Sequence, residues 1–366
     1  MSEAPVLVVE PYFGGSHRAW AEGIQANLGR PVELLTLPPR WWKWRMRGGA
    51  VTLAEQLAAR DTRPAAIVVS DMVDLPAFLA FARPRVADVS VALYFHESQL
   101  TYPDSPQMEP DLSYAVTNWL SALVADRVVF NSHYHHDVFF QELPRLLRHF
   151  PDLTHEHRIA EVRGRAEVLE VGVDLAWVTA GARPRRGPVR FVWNHRWEHD
   201  KDPVTFFSAV DALAAEGLDF EVVVCGENFR VEPSEFTEAA RRHPDRIVHL
   251  GHAPIDEYRD WLLSADVVVS TAQQEFFGVA AVEAMAAGAM PLFPRRLSYP
   301  ELVPAEWHDH CLYPSGGLVE RMRRAVVNAE ETRRIAAAIA PAMSRFGWDT
   351  MAPRYRRLID GLTAAR

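Results

Sequence analysis

Two glutamates flank a short turn in Glu275-Phe276-Phe277-Gly278-Val279-Ala280-Ala281-Val282-Glu283. A strand-like run, Val267–Thr271, precedes this segment, and a helical pattern, Val279–Ala287, carries its second half. One carboxylate ahead of the helix and another two turns into it then share one side of the helix N-terminus. The amides of Phe277, Gly278 and Val279 face whatever binds there, so phosphate donors lie beside two acceptors for sugar or ribose hydroxyls. Alone, Glu283 reads equally well as a buried capping or salt-bridged glutamate. A second segment, Trp193-Asn194-His195-Arg196-Trp197-Glu198-His199-Asp200-Lys201, sets Arg196 and Lys201 in another strand-to-helix connection. Two cations there can clamp a diphosphate and stabilise a leaving group. The bland alternative is a surface ion-pair cluster with Glu198, Asp200 and Asp202. Asp200-Lys201-Asp202 has the spacing of a D-x-D metal motif, but the lysine between its carboxylates speaks against a metal.

The first half has its own loaded segments. Gly14-Gly15-Ser16-His17 follows the first strand and opens a helix near Arg18, where paired glycines admit a ligand to the backbone and helix amides meet an anion. The pattern is not G-x-G-x-x-G, and a tight strand-to-helix turn explains it too. His96-Glu97 ends a strand, where it can position a hydroxyl or act as a base. It is no zinc helix, because position 100 is Leu100. Asn131-Ser132 ends the next strand, as acceptor contacts or as a helix cap. His133, His135 and His136 read as a solvated helix start. Gly226-Glu227 and Gly251-His252 follow further strands, as nucleotide contacts or as turns. Finally, Arg40-Trp41-Trp42-Lys43-Trp44-Arg45-Met46-Arg47 packs four cations and three tryptophans into eight residues, followed by a flexible Gly48-Gly49 pair. Such a segment can attract a phosphate backbone and stack splayed bases. It can also pack its tryptophans on the domain or lie on a membrane surface.

These segments need strands to position them. Short apolar runs occur at Val6–Glu10, Val32–Leu37, Ala65–Ser70, Val89–Phe95, Arg127–Asn131 and Glu167–Val171. They recur at Val189–Asn194, Phe220–Gly226, Ile247–Leu250, Val267–Thr271 and Met290–Phe293. They are apolar on both faces, as buried parallel strands are. Helical spacing separates them, for example at Val51–Arg60, Thr117–Ala125, Pro203–Glu216, Ile255–Ser264 and Val279–Ala287. The fold class is therefore α/β, with two doubly wound sheets. The Pro/Gly/Arg stretch Ala180–Pro188 divides residues 1–180 from 181–366. Ala- and Arg-rich helical segments close the chain from about Leu318.

With 366 residues, 48% of them hydrophobic and 24% charged, the chain reads as a two-domain globular enzyme. Net charge is −9 and neither half is basic, so nucleic acid must be met by a local basic face. Cys225 and Cys311 make no disulfide framework or metal-ligand spacing, which suits a reducing cytoplasm. No signal peptide and no apolar stretch long enough to span a bilayer is evident.

Glu275 and Glu283 form the E-x7-E motif of retaining GT-B glycosyltransferases, with Arg196 and Lys201 as that group's basic pair and Gly14-Gly15 as its glycine loop. More closely, Glu10–Trp20, Tyr94–Pro103, Phe130–His135, Trp193–Lys201 and Glu275–Met285 resemble the tRNA-queuosine α-mannosyltransferases. That resemblance covers nearly the whole chain. It implies two Rossmann-like domains facing a deep cleft, the first binding the acceptor and the second the nucleotide sugar, with the last helices free to pack back on the first. It implies transfer of mannose from GDP-mannose to the queuosine of aspartate tRNA, in the cytoplasm, with no metal, no other cofactor and no integral membrane association. By motif position, Arg196 and Lys201 hold the diphosphate, Glu283 the ribose and Glu275 the sugar. The Phe277–Val279 amides meet sugar or phosphate. Gly14, Gly15, Gly226, Glu227 and His252 complete the donor site. His96, Glu97, Asn131, Ser132, Arg40, Trp41, Lys43, Trp44, Arg45 and Arg47 serve the acceptor, with His96 at the reacting groups. Competing readings keep the fold but take a lipid, glycan or small-molecule acceptor, or make the chain a non-catalytic nucleotide-sugar or RNA-binding protein. A hydrolysing epimerase is weaker still, because the motifs are those of transferases.

Overall fold

A computed structural model describes residues 3–101, 111–180, 186–226 and 234–364. Contacts divide the chain into two units, residues 1–174 with 348–366 and residues 175–347. The division falls between Asp174 and Leu175, earlier than the Pro/Gly/Arg stretch, of which residues 181–185 lie outside the described residues.

The first unit alternates β1 (Val6–Glu10), α1 (Gly15–Asn27), β2 (Val32–Thr36), α2 (Trp42–Ala58), β3 (Ala66–Ser70), α3 (Leu75–Val86), β4 (Val91–Phe95), α4 (Ser113–Val124), β5 (Arg127–Phe130), α5 (His133–Leu147), α6 (Ile159–Gly164) and β6 (Ala166–Val168). Its six strands are parallel in the order β2-β1-β3-β4-β5-β6. β1, β3 and β4 are buried at every position, which is why they read as unbroken apolar runs. Strand order reverses between β1 and β3. A ligand crevice in a doubly wound sheet opens beyond the carboxyl ends of such a pair.

Residues 348–364 return to this unit as a helix, Trp348–Ala364. The Trp348 ring fills two notches left by glycines: a Cβ on Gly23 would lie 2.2 Å from it, and one on Gly172 2.6 Å. Farther along, the Tyr355 hydroxyl accepts from Trp20 Nε1 at 3.1 Å and donates to the Glu170 carbonyl at 3.0 Å.

The second unit runs β7 (Val189–Asn194), α7 (Pro203–Ala215), β8 (Phe220–Cys225), α8 (Ser234–Arg242), β9 (Ile247–Gly251), α9 (Ile255–Ser264), β10 (Val267–Val269), α10 (Val279–Ala286), β11 (Met290–Pro294) and β12 (Leu312–Tyr313). Its parallel sheet is ordered β12-β11-β10-β7-β8-β9. The reversal here lies between β7 and β10, the strands that carry the Arg196–Lys201 and Glu275–Glu283 segments at their carboxyl ends.

Strand ends shift by one to three residues from the sequence reading, the most at β6, which ends at Val168 rather than Val171, and the two-residue β12 escaped it because so short a run has no period. One helix differs more. The pattern suggested a helix from Val51, but α2 starts at Trp42 and takes in the Gly48-Gly49 pair, which is therefore not a flexible joint. Room is short at the first of them: a Cβ on Gly48 would sit 2.4 Å from the Trp44 ring, whereas Gly49 is buried at ordinary contact distance from its neighbours. No helix among the described residues is long and apolar enough to cross a membrane.

Candidate active site

In the second unit, β7 delivers Asn194, after which the chain turns through a short 3-10 segment, His199–Lys201. Lys201 is not on the surface as an ion-pair cluster would place it. Its ammonium is 10% exposed and lies 3.0 Å from Asp200 Oδ2, 3.6 Å from Glu275 Oε2 and 2.8 Å from the Gln274 carbonyl oxygen. Burial works against its charge, but Glu275 and Asp200 outweigh it and hold the ammonium above its ordinary pKa. Arg196 stays 53% exposed, with Glu198 at 3.4 Å. The tethered ammonium thus sets the local field, while the guanidinium is placed to reach a ligand.

The segment after β10 is braced from behind. Ser298 Oγ donates to the carbonyls of Glu275 and Phe277 at 3.3 and 3.1 Å. Gly278, at φ 98°, turns the chain into α10 with no side-chain cap. The first amides of α10 therefore have no intrahelical partner, and the helix dipole adds to them. Glu283 sits on the second turn of the eight-residue helix, nearer its start than the spacing suggested. Its Oε2 accepts the Tyr258 hydroxyl at 2.9 Å, and Asn194 Nδ2 donates to that hydroxyl at 3.2 Å and to the Ala280 carbonyl at 3.0 Å. Tyr258, from α9, was not singled out from sequence, because one tyrosine on an amphipathic helix carries no motif.

Gly226 follows β8 at φ 142°, and a Cβ there would lie 2.1 Å from the His195 carbonyl oxygen. Its amide bonds the Gly251 carbonyl at 3.0 Å, which ties the loops after β8 and β9 together. His252 is exposed in the second of these loops, and Glu227 lies outside the described residues. The buried His195 imidazole is held neutral, its pKa driven down to about 3 by burial and by Lys201.

In the first unit, Gly14 lies against Pro39, where a Cβ would come within 2.6 Å, and Gly15 turns at φ 51° into α1 with open space above it. Next to this loop is a polar cluster that the sequence showed only in part. Glu10, wholly buried at the end of β1, accepts the Tyr12 amide at 2.8 Å and pairs with His17 Nδ1 at 3.0 Å. Burial works against a charged His17, but Glu10 overcomes it and raises the imidazole pKa to about 9. The His17 ring lies 4.3 Å from that of His96, which Trp20 and Tyr94 also flank, at 4.6 and 4.8 Å. The His96 amide donates to Asp71 Oδ1 at 2.8 Å, and its carbonyl accepts from Asn131 at 2.9 Å. Burial and the neighbouring His17 keep His96 neutral. Glu10, His17 and His96 also bring donor atoms within 4.8 Å of one another, the group among the described residues that could together hold a metal ion. Asp71 was missed, although its place after β3, at the strand reversal, was a signal that could have found it.

Asn131 and Ser132 brace rather than project. Ser132 Oγ caps α5 by accepting the His135 amide at 3.0 Å, and Asn131 Oδ1 lies 2.8 Å from His135 Nδ1. His135 is fully buried, which corrects its reading as part of a solvated helix start: the imidazole packs between Phe95 and Phe130. On α2, Trp41 and Trp44 are 69% and 63% exposed, and Arg40, Lys43 and Arg47 are exposed beside them. Arg47 stacks over Tyr114 at 5.0 Å and bonds Ser113. Arg45, half-buried, donates from Nε to the Pro38 carbonyl at 3.1 Å.

Comparison with known proteins fits this geometry. Residues 5–173 match a family described as tRNA-queuosine alpha-mannosyltransferase N-terminal, and residues 184–339 match glycosyl transferases group 1. The chain is 33% identical over 311 residues to the tRNA-queuosine alpha-mannosyltransferase of Drosophila melanogaster, covering 82% of each chain. Sucrose-phosphate synthase from Thermosynechococcus elongatus has a TM-score of 0.72 across the whole of both chains at 15% identity. Anabaena HepE, solved with UDP and glucose, has a TM-score of 0.68 at 16% identity, covering 98% of this chain and 100% of its own. At such identities the likeness is one of fold, and the fold is GT-B.

Proposed function

The chain belongs to the tRNA-queuosine alpha-mannosyltransferase family and is a hexosyltransferase; from that premise we propose that it moves mannose from GDP-mannose to the queuosine of aspartate tRNA, with retention and without a metal, in the cytoplasm. The observation that carries the donor half is the meeting of Lys201, Glu275 and the uncapped start of α10 at the β7–β10 reversal. An activated mannose carries a diphosphate. Arg196 and the α10 amides suit its charge, and Lys201 supports them as negative charge grows on the departing oxygen. Glu283, oriented by Tyr258, suits a ribose diol. These groups supply the stabilisation that a divalent ion gives elsewhere.

No carboxylate is assigned as a nucleophile. Front-face attack, with the leaving phosphate oxygen taking the acceptor proton, accounts for retention. On the acceptor side, neutral His96 offers a nitrogen to a hydroxyl, and the exposed cations and tryptophans of α2 suit phosphates and unstacked bases.

The test is transfer of label from radioactive GDP-mannose to bulk tRNA with and without queuosine. Label on the queuosine-containing tRNA alone is expected. Equal labelling of both, or of neither, overturns the acceptor assignment.

A further inference from the structure

Three carboxyl groups gather around His17 at the carboxyl edge of the first sheet: Glu10 from β1, Asp71 after β3, and Glu97, the residue after His96. Glu10 is satisfied by the Tyr12 amide and the His17 imidazole. Asp71 is not. It has no exposed surface, its Oδ1 accepts the His96 amide, and its Oδ2 is buried with no partner among the described residues. His96 Nε2 is likewise buried and unpartnered. Glu97 is half-buried and reaches Gln99 Nε2 only at 3.5 Å.

Buried polar atoms are nearly always paired, so an orphaned carboxyl oxygen and an orphaned ring nitrogen, on two residues joined by the His96 amide hydrogen bond, call for a partner from outside the chain. The one imidazolium, His17, is committed to Glu10, which leaves Asp71 and Glu97 with no cation among the described residues. Burial and the proximity of Glu97 push the Asp71 carboxyl well above its usual range, and an arriving cation lets it ionise.

We propose that Asp71 and Glu97 form a cation subsite in the acceptor pocket, taking a protonated amine that lies a few bonds from the hydroxyl His96 meets. This rests on the transfer reading above and deepens it. Queuosine carries such a group, the secondary amine that joins its cyclopentenediol to the base. The subsite then selects the modified nucleoside by charge as well as by its diol, and turns away neutral sugars and unmodified guanosine.

The experiment compares three deacylated tRNAs as ligands: the queuosine-containing form, the form with that amine methylated (charge kept), and the form with it formylated (charge removed). Wild-type protein is expected to bind the first two within about threefold, and the formylated one roughly tenfold to a hundredfold more weakly, the range of a hydrogen bond to a charged group. Asp71→Asn with Glu97→Gln should bind all three alike while KM for GDP-mannose is unchanged. Should the buried Asp71→Asn change prevent folding, Glu97→Gln alone must narrow the discrimination. Equal binding of all three by wild-type protein overturns the subsite, as does discrimination that survives in the variants. Failure to bind the parent tRNA at all overturns the acceptor reading itself, and the subsite with it.

Discussion

At the scale of single residues, burial decides what each variant can report. We expect Lys201→Ala to abolish transfer of label from GDP-mannose. With Asp200 5% exposed and paired to Lys201, the same change strands a buried carboxylate and should also destabilise the second unit by about 3 kcal/mol. Glu283→Gln separates the effects better, because the amide oxygen still accepts from Tyr258. We expect KM for GDP-mannose to rise at least roughly tenfold, with unfolding by circular dichroism unchanged. His195 gives a pH signature. Its folded pKa of about 3 lies below the ordinary 6.5, so the unfolded chain binds the extra proton between those values. Stability should be whole above pH 6.5 and fall as pH drops toward 3, by up to about 1.4 kcal/mol per pH unit. His195→Asn should flatten that limb in denaturant titrations at graded pH.

At the scale of elements, most strands were legible because strands buried on both faces read as unbroken apolar runs, and the motifs at their ends were legible because a doubly wound sheet puts chemistry there. Tertiary terms were not. The early start of α2 depends on Trp44 lying over Gly48, and the partner of Glu283 comes from a different helix. The exposure pattern on α2 also chooses a test. Arg45 is half-buried with its Nε on the Pro38 carbonyl, whereas Lys43 and Arg47 are exposed, so Lys43→Glu with Arg47→Glu should weaken tRNA binding and lower the slope of log K against log salt by roughly two phosphate contacts. Filter binding across salt concentrations measures it, and an unchanged slope removes α2 from the docking surface. In the second unit, Gly226→Ala should cost about 3 kcal/mol or more in chemical denaturation, since its Cβ would collide with a backbone oxygen that belongs to the neighbouring loop.

At the scale of the whole molecule, pattern reading found two doubly wound units, yet neither strand order could be read from one sequence, because order is fixed by which helices cover which face. The return of the last helix to the first unit was an expectation of the resemblance alone and left no mark in the residue pattern: Trp348 is one tryptophan among 11, and only the notches at Gly23 and Gly172 show where it belongs. Trp348→Ala should destabilise the first unit by about 3–5 kcal/mol and spare the second. Hydrogen exchange resolved by peptide would see faster exchange in β1 and β4 and none in β7 or β8. That helix also sets an order of assembly on the ribosome. The second unit is a continuous stretch of chain and can finish folding before residues 348–364 are made. The first unit, although mostly synthesised earlier, waits for a segment that follows the whole of the second. A nascent chain stalled or cut short before Trp348 would therefore carry a finished second unit joined to an unfinished first one, a defect that a protease would reveal.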